Sequence, residues 1–470
     1  MKQTKIVASI SDLRCEVDFL RELYNSGVNV MRINTAHATP EGIKKVINNI
    51  RTVSNKLAIL IDTKGPEIRT TSVEDHIYFN TGDKVKICGN PSETTTRKCV
   101  NVSYPNFVHD LNIGNDVLFD DGELAMKIVD KTNDALIAIV QNDGRLGSRK
   151  SVNVPGVHIH LPALTEKDMA NIKLAIEEDI DFIAHSFVRS KDDVKAVQDI
   201  LDECGSDIKI ISKIENQEGV DNIDEIIEAS YGIMIARGDL GIEVPIENIP
   251  GIQRRIIRKC VIANKPVIVA TQMLHTMIKN PRPTRAEVTD IANAIYYRTD
   301  ALMLSGETAS GKYPLEAVKI MASIAEQAEK DKLRENDIEI PLCDDCNVTE
   351  FLAKNAIRAT EQLGVKGIIT DANTGKTARI LSSYRGPNPV IALCYKEKLV
   401  RQLSLSYGIT PIYQHDKKEL HEQYVTALQM LLNEGFVNID DKIAHLGGSF
   451  GEKGGTTFLE INNVKDLINS

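Results

Sequence analysis

The sequence predicts an α/β protein: a parallel (β/α)8 barrel that carries an inserted all-β domain and is followed by a separate α/β sheet domain. Three observations lead to this prediction. Eight short apolar segments alternate with amphipathic helical patterns up to about residue 330, the alternation breaks once between Thr63 and Asp181, and it resumes after a charged stretch that begins at Asp331. A doubly wound sheet is the structural alternative, but the sequence has no glycine-rich dinucleotide turn to support it.

The eight apolar segments are rich in β-branched residues, as is usual for strands that are buried on both faces of a parallel sheet. They predict barrel strands at Lys5–Ile10, Asn29–Asn34, Leu57–Thr63, Asp181–Phe187, Ile208–Glu215, Tyr231–Arg237, Pro266–Thr271 and Ala301–Glu307. Helical patterns lie between them, for example at Leu13–Tyr24, Asp192–Leu201 and Arg285–Tyr297. We assign residues 1–69 and 161–337 to the barrel.

The break in the alternation, at residues 70–160, is rich in short alternating strands and turn residues. Turn signals occur at Asn80–Asp83, Asp120–Gly122 and Asn142–Gly144. We therefore predict a small β-barrel domain that is inserted after the third barrel strand.

Residues 348–470 are predicted to form the second α/β domain, after a linker that ends near Asn347. The predicted helices are Thr349–Leu363, Lys376–Tyr384, Lys398–Tyr407 and Lys418–Asn433, and the predicted strands are Val365–Thr370, Val390–Tyr395, Thr410–Tyr413, Lys442–His445 and Thr456–Ile461. Cys343 and Cys346 form a C-x-x-C pair in the linker. Without a second pair or a nearby histidine, we interpret them as surface thiols.

Composition excludes several classes of protein. The formal net charge of −10 argues against nucleic acid or an anionic membrane as a partner. The N-terminal stretch lacks the apolar core of a secretory signal, and no apolar run approaches the ~18 residues that span a membrane. Because the eight cysteines are mostly scattered, we expect a protein of the reducing cytoplasm.

Charged and polar residues collect at the predicted carboxyl ends of the barrel strands, where the active sites of such barrels lie. They are Arg32, Asn34, Asp62, Thr63, Lys64, Lys213, Glu215, Arg237, Gly238, Asp239, Thr271, Ser305 and Glu307. Such groups cost free energy at an apolar rim unless they bind something. Lys213 and Glu215 share one face of their strand, ~6–7 Å apart along it. Taken alone this pair could be a structural salt bridge, but the whole set predicts a functional site.

The mixture of side chains indicates a class of chemistry. Glu215 and Asp239 offer only oxygen ligands, which suit Mg²⁺ or Mn²⁺. Gly238 would let a substrate carboxylate approach backbone N–H groups at the start of a helix. Arg32, Arg69 and Lys213 suit an anionic, phosphate-bearing substrate. Phosphoryl transfer needs such a set, and the same metal could equally hold an enolate.

Nine long motifs carry a resemblance to a known family. They are M-R-I-N (31–34), L-I-D-T-K-G-P-E-I-R-T (60–70), N-V-P-G-V (153–157), L-P-A-L-T-E-K-D (161–168), I-S-K-I-E-N-Q-E-G (211–219), I-A-R-G-D-L-G (235–241), A-T-Q-M-L (270–274), N-P-R-P-T-R-A-E (280–287) and M-L-S-G-E-T-A-S-G-K-Y-P (303–314). In these motifs, and along almost its whole length, the chain resembles the pyruvate kinase family. The family has the fold predicted above, with the inserted domain acting as a lid.

The resemblance implies a role for each matching residue. Lys213 would stabilise the transferring phosphoryl group, and Glu215 with Asp239 would bind Mg²⁺ or Mn²⁺. Three further groups of residues would bind the other ligands. Phosphoenolpyruvate or pyruvate would be bound by Arg32, Lys213, Gly238, Asp239 and Thr271, with Thr271 near the path of the proton to the enolate carbon. K⁺ would be bound by Asn34, Asp62 and Thr63, and the nucleotide phosphates by Arg69, His37 and Lys150, with Asn34 beside them. It also implies a homotetramer.

Two departures from the family concern the cation site and the nucleotide side. The family usually has N-F-S-H-G where this chain has Asn34–Ala38, so a serine hydroxyl is missing at Ala36, and its T-I-G-P is replaced at Ser9–Asp12. Glu67 matches the potassium-dependent members. The segment Thr370–Arg379 resembles the family's effector loop, and Thr374–Thr377 could cradle a sugar phosphate; a plain helix cap by Thr374 is the alternative.

The expected function is transfer of the phosphoryl group of phosphoenolpyruvate to ADP, giving pyruvate and ATP as the last step of glycolysis. One rival is a metal-dependent lyase or aldolase that acts on pyruvate enolates in a similar barrel. The other is a protein that binds a metabolite and signals without catalysis. The inserted domain and the nucleotide-facing basic residues argue against the lyase, and the intact chemical residues argue against the signalling protein.

Overall fold

The computed structural model describes all residues except 1, 37, 333–337, 339, 341–346, 416–419, 434, 449–454 and 469–470. The chain begins with the first part of the barrel. Its elements are β1 (Lys5–Ile10), α1 (Val17–Asn25), β2 (Val30–Asn34), α2 (Pro40–Val53) and β3 (Ala58–Asp62). Thr39 caps α2 by accepting a hydrogen bond from the Gly42 backbone N–H at 3.1 Å, and Pro40 suits the first helical position because its φ is already helical.

The inserted domain, here called the lid, follows β3. Its elements are β4 (Ile77–Phe79), β5 (Lys84–Cys88), β6 (Cys99–Asn101), α3 (Phe107–Asp110), β7 (Asp116–Phe119), β8 (Leu124–Lys131), β9 (Leu136–Val140), β10 (Gly144–Leu146) and β11 (Val152–Asn153). Six strands form a sheet in the order β11-β7-β8-β9-β5-β6, and β10 pairs with β4. Alternate side chains, such as Val85 and Ile87, face a core that belongs to the lid itself.

The second part of the barrel follows the lid. Its elements are α4 (Glu166–Glu177), β12 (Phe182–His185), α5 (Lys191–Glu203), β13 (Lys209–Ile214), α6 (Gln217–Asp221), α7 (Ile223–Ala229), β14 (Gly232–Ala236), α8 (Arg237–Glu243), α9 (Ile249–Ile262), β15 (Val267–Ala270), α10 (Arg285–Tyr296), β16 (Ala301–Leu304), α11 (Gly306–Ala309) and α12 (Pro314–Asp331). Short 3-10 turns lie at Ile246–Asn248 and His275–Ile278.

The eight barrel strands are parallel and close on themselves in the order β1-β16-β15-β14-β13-β12-β3-β2. Alternate side chains serve two cores: Leu60 and Phe182 fill the interior, whereas Ile61 and Ile183 pack against the helices. Because both faces of each strand are buried, the strand sequences are almost continuously apolar. Because all eight strands are parallel, their carboxyl ends lie at the same rim of the barrel.

The C-terminal domain is a five-stranded sheet with helices. Its elements are α13 (Val348–Gln362), β17 (Val365–Ala372), α14 (Lys376–Ser383), β18 (Val390–Cys394), α15 (Glu397–Leu403), β19 (Ile409–Tyr413), α16 (Leu420–Asn433), β20 (Lys442–Gly447), β21 (Phe458–Asn463) and α17 (Val464–Ile468). The strand order is β19-β18-β17-β20-β21, and only the β20–β21 pairing is antiparallel.

The predicted fold class is confirmed, and two helix boundaries were wrong. Helix α1 begins at Val17 rather than Leu13, because a turn closed by a hydrogen bond from the Arg14 N–H to the Ser11 carbonyl precedes it and leaves Leu13 exposed. Helix α15 ends at Leu403 rather than Tyr407, since the next residues form turns. The domain boundaries stay predictions.

Two further predictions touch residues outside the described part of the chain. The predicted start of the last long helix, Lys418, lies outside it, and so do Cys343 and Cys346. Among the described residues, no helix is both long enough and apolar enough to cross a membrane.

Candidate active site

Two cavities meet at the rim where the barrel strands end. One, of about 550 Å³, is lined by residues that lie in or just after five different strands: Arg32, Asp62, Lys213, Glu215, Asp239 and Thr271. The other, of about 790 Å³, lies between this rim and the lid. Asn34 and Asp239 line both cavities, so a ligand in one would adjoin a ligand in the other.

Arg32 is fixed by its neighbours on the adjacent strands. Its Nε and Nη2 atoms each lie 2.6 Å from Asp62 Oδ2, and its Nη1 donates to Ser9 Oγ at 2.8 Å. The strand register explains these contacts, because β2 lies between β1, which carries Ser9, and β3, which ends at Asp62. The guanidinium is therefore held in one orientation, as the recognition of an oxyanion requires.

Lys213, on β13, lies at the rim of the barrel and contacts oxygen atoms of three neighbouring side chains. Its ammonium donates to Ser186 Oγ at 2.8 Å and lies 2.8 Å from Glu215 Oε1 and 3.3 Å from Asp62 Oδ1. The predicted proximity of Lys213 and Glu215 thus takes the form of a direct ion pair. Asp62 joins this pair to Arg32, so two cations and two carboxylates form one network.

The network shifts the pKa values of its members in different directions. Burial alone would lower the pKa of Lys213, but the carboxylates of Asp62 and Glu215 outweigh it and hold this pKa above its ordinary value. Burial alone would raise the pKa of Asp62, but Arg32 and Lys213 outweigh it and hold this pKa below its ordinary value. Burial raises the pKa of Glu215 to about 7, and the negative charge of Asp239 adds to this effect.

The residues expected to bind a divalent metal fit that role. Glu215 Oε2 accepts a hydrogen bond from the Phe187 N–H at 2.7 Å, whereas its buried Oε1 receives no aligned hydrogen bond from any described residue, although Lys213 lies near it. Lys213 offsets only part of the cost of burying this carboxylate, because the pKa of Glu215 stays above its ordinary value. A divalent cation between Glu215 and Asp239 would supply that compensation through oxygen ligands alone.

Thr271, which lines the barrel cavity, is hydrogen-bonded to Gly238. The Gly238 N–H donates to Thr271 Oγ1 at 2.8 Å, and this hydroxyl donates to the Ala270 carbonyl at 2.6 Å. Thr271 and Gln272 have φ values of 69° and 56°, in the left-handed region that residues other than glycine rarely adopt. The Gly238 N–H that was expected to meet a substrate carboxylate is thus bound to Thr271 in this structure.

Arg237 holds the unusual backbone at Thr271 in place. Its Nη2 donates to the Thr271 carbonyl at 2.7 Å, and its Nη1 lies 2.8 Å from both carboxylate oxygens of Asp290. Sequence reasoning placed Arg237 at the rim without giving it a role. Because its guanidinium links the ends of β14 and β15, this contact explains why Arg237 lies at the rim.

Ser186 is the residue that sequence reasoning missed. It follows β12, donates to the Thr63 carbonyl at 2.7 Å and accepts from Lys213. The available signal was its position, since Ser186 is the second-last residue of the predicted barrel strand Asp181–Phe187. Its hydroxyl therefore helps to orient the ammonium of Lys213.

The residues expected to face the nucleotide line the cavity beneath the lid. Arg69 Nη2 lies 2.6 Å from Glu67 Oε2, and Lys150 Nζ lies 2.7 Å from Asp120 Oδ2. Both cations are therefore held by carboxylates at the wall of this cavity. His37 lies outside the described residues.

The three residues expected to bind a monovalent cation lie together. Asn34 and Asp62 are register partners on β2 and β3, and Thr63 follows directly. Asn34 Oδ1 accepts from the Ala36 N–H at 3.0 Å, and the Thr63 hydroxyl already donates to the Ala184 carbonyl at 3.2 Å. The Asn34 and Asp62 oxygens and the Thr63 carbonyl would therefore have to supply the ligands.

The loop resembling an effector site begins α14 in the C-terminal domain. Gly375 is the N-cap residue, with a φ of 74° and no side-chain cap, so the alternative that Thr374 merely caps the helix is not what this structure has. Thr377 Oγ1 lies 2.9 Å from Thr456 Oγ1, which joins this loop to the segment after β20. Lys376 is exposed beside it.

Comparison with known proteins covers nearly the whole chain. The family model described as pyruvate kinase, barrel domain, matches residues 1–318, and that described as pyruvate kinase, alpha/beta domain, matches residues 350–462. A pyruvate kinase of Borreliella burgdorferi is 50% identical, covering 99% of this chain and 98% of its own. One of Bacillus licheniformis is 40% identical, covering 100% and 81%. The crystal structure of a pyruvate kinase from Cryptosporidium parvum, 36% identical, superposes with a TM-score of 0.93 over 98% of this chain and 96% of that one.

Proposed function

The chain belongs to the pyruvate kinase family, and on that premise we propose which of its residues transfer the phosphoryl group of phosphoenolpyruvate to ADP. The products of this reaction are pyruvate and ATP. The observation that carries the proposal is the position of Lys213, charged and held between Ser186, Glu215 and Asp62 at the wall of the cavity. An ammonium held at this position can contact the phosphoryl group while it passes from the oxygen of phosphoenolpyruvate to the oxygen of ADP.

Lys213 acts on the moving phosphoryl group. Negative charge on its equatorial oxygens and on the flanking oxygens changes during transfer, so a cation that contacts them gains most in the transition state. Asp62 and Glu215 keep Lys213 protonated, and Ser186 keeps its ammonium aimed. No reorganisation is then needed at the moment of reaction, which is the source of electrostatic catalysis.

Arg32 and the Gly238–Thr271 side of the cavity bind the three-carbon part of the substrate. The fixed guanidinium of Arg32 suits the phosphate of phosphoenolpyruvate. The N–H groups at the start of α8, at Gly238 and Asp239, suit its carboxylate. Gly238 would exchange its hydrogen bond to Thr271 for one to the substrate. The Thr271 hydroxyl is then released to lie on the path of the proton that reaches the enolate carbon.

The cofactors of the family fit the residues of this chain. Pyruvate kinases need a divalent metal ion and K⁺. Glu215 and Asp239 would hold Mg²⁺ or Mn²⁺, which when bound neutralises charge on the phosphoryl oxygens. Asn34, Asp62 and Thr63 would hold K⁺ with one oxygen fewer than the family norm, because Ala36 has no hydroxyl.

ADP would occupy the cavity beneath the lid. Arg69 and Lys150 both line it, and their ion pairs with Glu67 and Asp120 hold the two cations at its wall. His37 belongs to this set by its position in the motif. The proposal also includes a homotetramer, a cytoplasmic location and a sugar-phosphate effector at Thr374–Thr377, all of which rest on the family resemblance or on composition.

Pyruvate formation from phosphoenolpyruvate, measured with and without ADP, tests the function. We expect pyruvate only when ADP, Mg²⁺ and K⁺ are all present, with ATP formed in equal amount. A lyase of the same fold would act on an enolate substrate without ADP, and a signalling protein would form no pyruvate under any condition. Either result would overturn the proposal.

A further inference from the structure

Cys88 and Cys99 bring two thiols into contact on the lid. Cys88 ends β5, and Cys99 begins β6, the parallel strand beside it. Their sulfur atoms lie 3.4 Å apart, with the Cys99 thiol donating to Cys88 Sγ, and both side chains are partly exposed. Neither cysteine lines the two cavities of the active site, so the proposed reaction does not account for the pair.

The two thiols differ in character. Burial raises the pKa of Cys99 to about 12, and its hydrogen bond to Cys88 adds to this effect. Lys86 and Glu93, the charged groups that face the pair, act in opposite directions. Because the Cys99 S–H donates to Cys88 Sγ, we assign Cys88 as the sulfur that reacts first with an oxidant.

The segment between the two cysteines is bound to the chain that enters the lid. We call residues 69–73 the hinge. Thr95, which is 3% exposed, donates its backbone N–H to the Ser72 carbonyl at 2.9 Å, and its Oγ1 lies 2.9 Å from Thr71 Oγ1. The loop 89–98 is therefore attached to the hinge by a buried threonine.

A second connection runs through β6. The Val102 N–H donates to the Cys88 carbonyl at 2.9 Å, and the Thr71 N–H donates to the Asn101 carbonyl at 2.9 Å. The Ser103 N–H donates to the Arg69 carbonyl at 2.8 Å. A shift of the backbone at either cysteine would thus reach Arg69 through a continuous set of hydrogen bonds.

We propose that Cys88 and Cys99 form a reversible disulfide with a peroxide as the oxidant, and that this bond restrains the lid hinge. The Cys88 thiolate attacks a peroxide oxygen, the O–O bond breaks, and the cysteine becomes a sulfenic acid as one water leaves. The Cys99 sulfur then attacks the sulfenic sulfur, the S–O bond breaks, and a second water leaves. The two thiols lose two electrons and two protons, and hydrogen peroxide takes up both.

The strand register explains why the bond would move the hinge. Lys86 pairs with Cys99 and Cys88 pairs with Asn101, so the two cysteines are diagonal neighbours. Neighbouring strands lie ~4.8 Å apart and two residues span ~6.6 Å along a parallel strand, so diagonal neighbours have Cα atoms ~8 Å apart, whereas a disulfide requires ~4.4–6.8 Å. Closing the bond must therefore draw the ends of β5 and β6 together, and the loop 89–98 moves with them.

Peptide mapping of the full-length enzyme tests the bond. Trypsin cleaves after Lys86, Arg97, Lys98 and Lys127, so the two cysteines fall on different peptides, 87–97 and 99–127. After hydrogen peroxide, we expect these peptides to be linked, and dithiothreitol to separate them. Cys88→Ser and Cys99→Ser should abolish the linked pair, and Cys204→Ser, which removes an exposed thiol elsewhere, should keep it. Unlinked peptides with sulfinic or sulfonic acid at Cys88 would overturn the proposal.

Amide hydrogen exchange and kinetics test the restraint. In the oxidised enzyme we expect slower exchange at residues 69–73 and a KM for ADP raised about fivefold, the factor that corresponds to one net hydrogen bond. Both changes should reverse with dithiothreitol and be absent in Cys88→Ser. The kinetic effect rests on the proposed role of Arg69, whereas the exchange effect does not. Unchanged exchange in a fully linked enzyme would overturn the restraint, and slowed exchange with an unchanged KM would overturn only its link to Arg69.

Discussion

At the scale of single residues, the charged groups of the barrel rim are held by one another. Asp62 is the shared partner, because it contacts both Arg32 and Lys213 while 1% exposed. A buried carboxylate of this kind is stable only while its cations are present. Arg32 and Lys213 are therefore each held in one orientation before the substrate binds. This lowers the entropic cost of aligning them with the reacting groups.

Replacing Lys213 tests its role in the transition state. We expect Lys213→Met to lower kcat by ~10²-fold or more, because the lost ammonium acts on charge that develops during transfer. Mn²⁺ binding, followed by titration, should survive. Lys209→Met, a matched change at the start of the same strand and away from the cavity, should keep kcat. A Lys213→Met enzyme with kcat close to that of the wild type would show that another group stabilises the phosphoryl.

Removing either carboxylate of the metal pair should weaken metal binding and activity together. We expect Glu215→Gln and Asp239→Asn each to weaken Mn²⁺ binding by ~10-fold or more, since both side chains would be direct ligands. Titration of Mn²⁺ by calorimetry or electron paramagnetic resonance measures this. Glu225→Gln, which removes a carboxylate that contacts Lys191, serves as the control. Normal Mn²⁺ titration of both variants would place the metal elsewhere.

Ala36 provides a test of the monovalent cation site. A water can replace the missing serine oxygen at a cost of roughly 0–2 kcal/mol of immobilisation. We therefore expect K⁺ activation to persist with weak affinity, and Ala36→Ser to lower the K⁺ concentration for half-maximal activity by up to about tenfold, if ~1.4 kcal/mol is recovered. A KCl series at constant ionic strength measures it. The alternative is that this enzyme does not require K⁺. Activity that does not change along the KCl series would support that alternative.

At the scale of elements, the short loops after β15 and β17 both contain residues in the left-handed region. The loop after β15 contains two residues with left-handed backbone, Thr271 and Gln272, and Arg237 binds the carbonyl of the first. The loop after β17 contains Gly375, whose backbone is also left-handed. A Cβ at Gly375 would lie 2.7 Å from a methyl group of Leu403, so this loop has little room for another residue. The loop after β17 leads directly into α14, where backbone N–H groups are available, and the loop after β15 leads into the 3-10 turn His275–Ile278.

The loop at Gly375 is expected to bind a sugar phosphate. Lys376 and the N–H groups at the start of α14 would hold the phosphate. At a hundredfold excess over Kd, such a ligand would stabilise the protein by about 2.7 kcal/mol, which a melting curve detects. Lys376→Met should weaken this response, and Lys366→Met, an exposed change on β17, should not. A screen of sugar phosphates that alters neither melting temperature nor activity would leave the loop without this role.

At the scale of the whole molecule, the amino ends of the barrel strands pack against the C-terminal domain through buried ion pairs. Arg401 Nε lies 2.5 Å from Asp181 Oδ1, and Arg385 Nη2 lies 2.6 Å from Asp300 Oδ2. Lys5 adds a buried hydrogen bond, since its Nζ donates to the Ile409 carbonyl at 2.7 Å. These contacts join elements that are far apart in the chain, so breaking one would leave a buried charge without its partner.

Lys5 should make stability depend on pH. Burial lowers its pKa to about 7, so between pH 7 and 10.5 the unfolded chain holds a proton at Lys5 that the folded protein has lost. Stability contributed by this group therefore rises with pH over that window, by up to about 1.4 kcal/mol per unit. Urea unfolding of the wild type and of Lys5→Met at pH 7, 8 and 9 measures the difference between them. A difference that does not change with pH would mean that Lys5 stays charged when folded.

The order of the elements could be predicted from the sequence because it depends on local patterns. Continuous apolar runs such as Lys5–Ile10 are what a strand buried on both faces requires, and their alternation with helices leaves few folds available. The rim residues followed from the same step, since all carboxyl ends of a parallel barrel meet on one side. Lys213, Glu215 and Asp239 could thus be named without coordinates.

Contacts between distant residues were decided only by the tertiary structure. Nothing in the spacing of Asp62, Ser186 and Lys213 indicates that they meet, because their separation in space depends on how β3, β12 and β13 neighbour one another around the barrel. The same holds for the pairing of Cys88 with Cys99, which depends on the register of β5 and β6. Periodicity determines which face of an element is buried, whereas the partner on that face is set by closure and register, which no local pattern encodes.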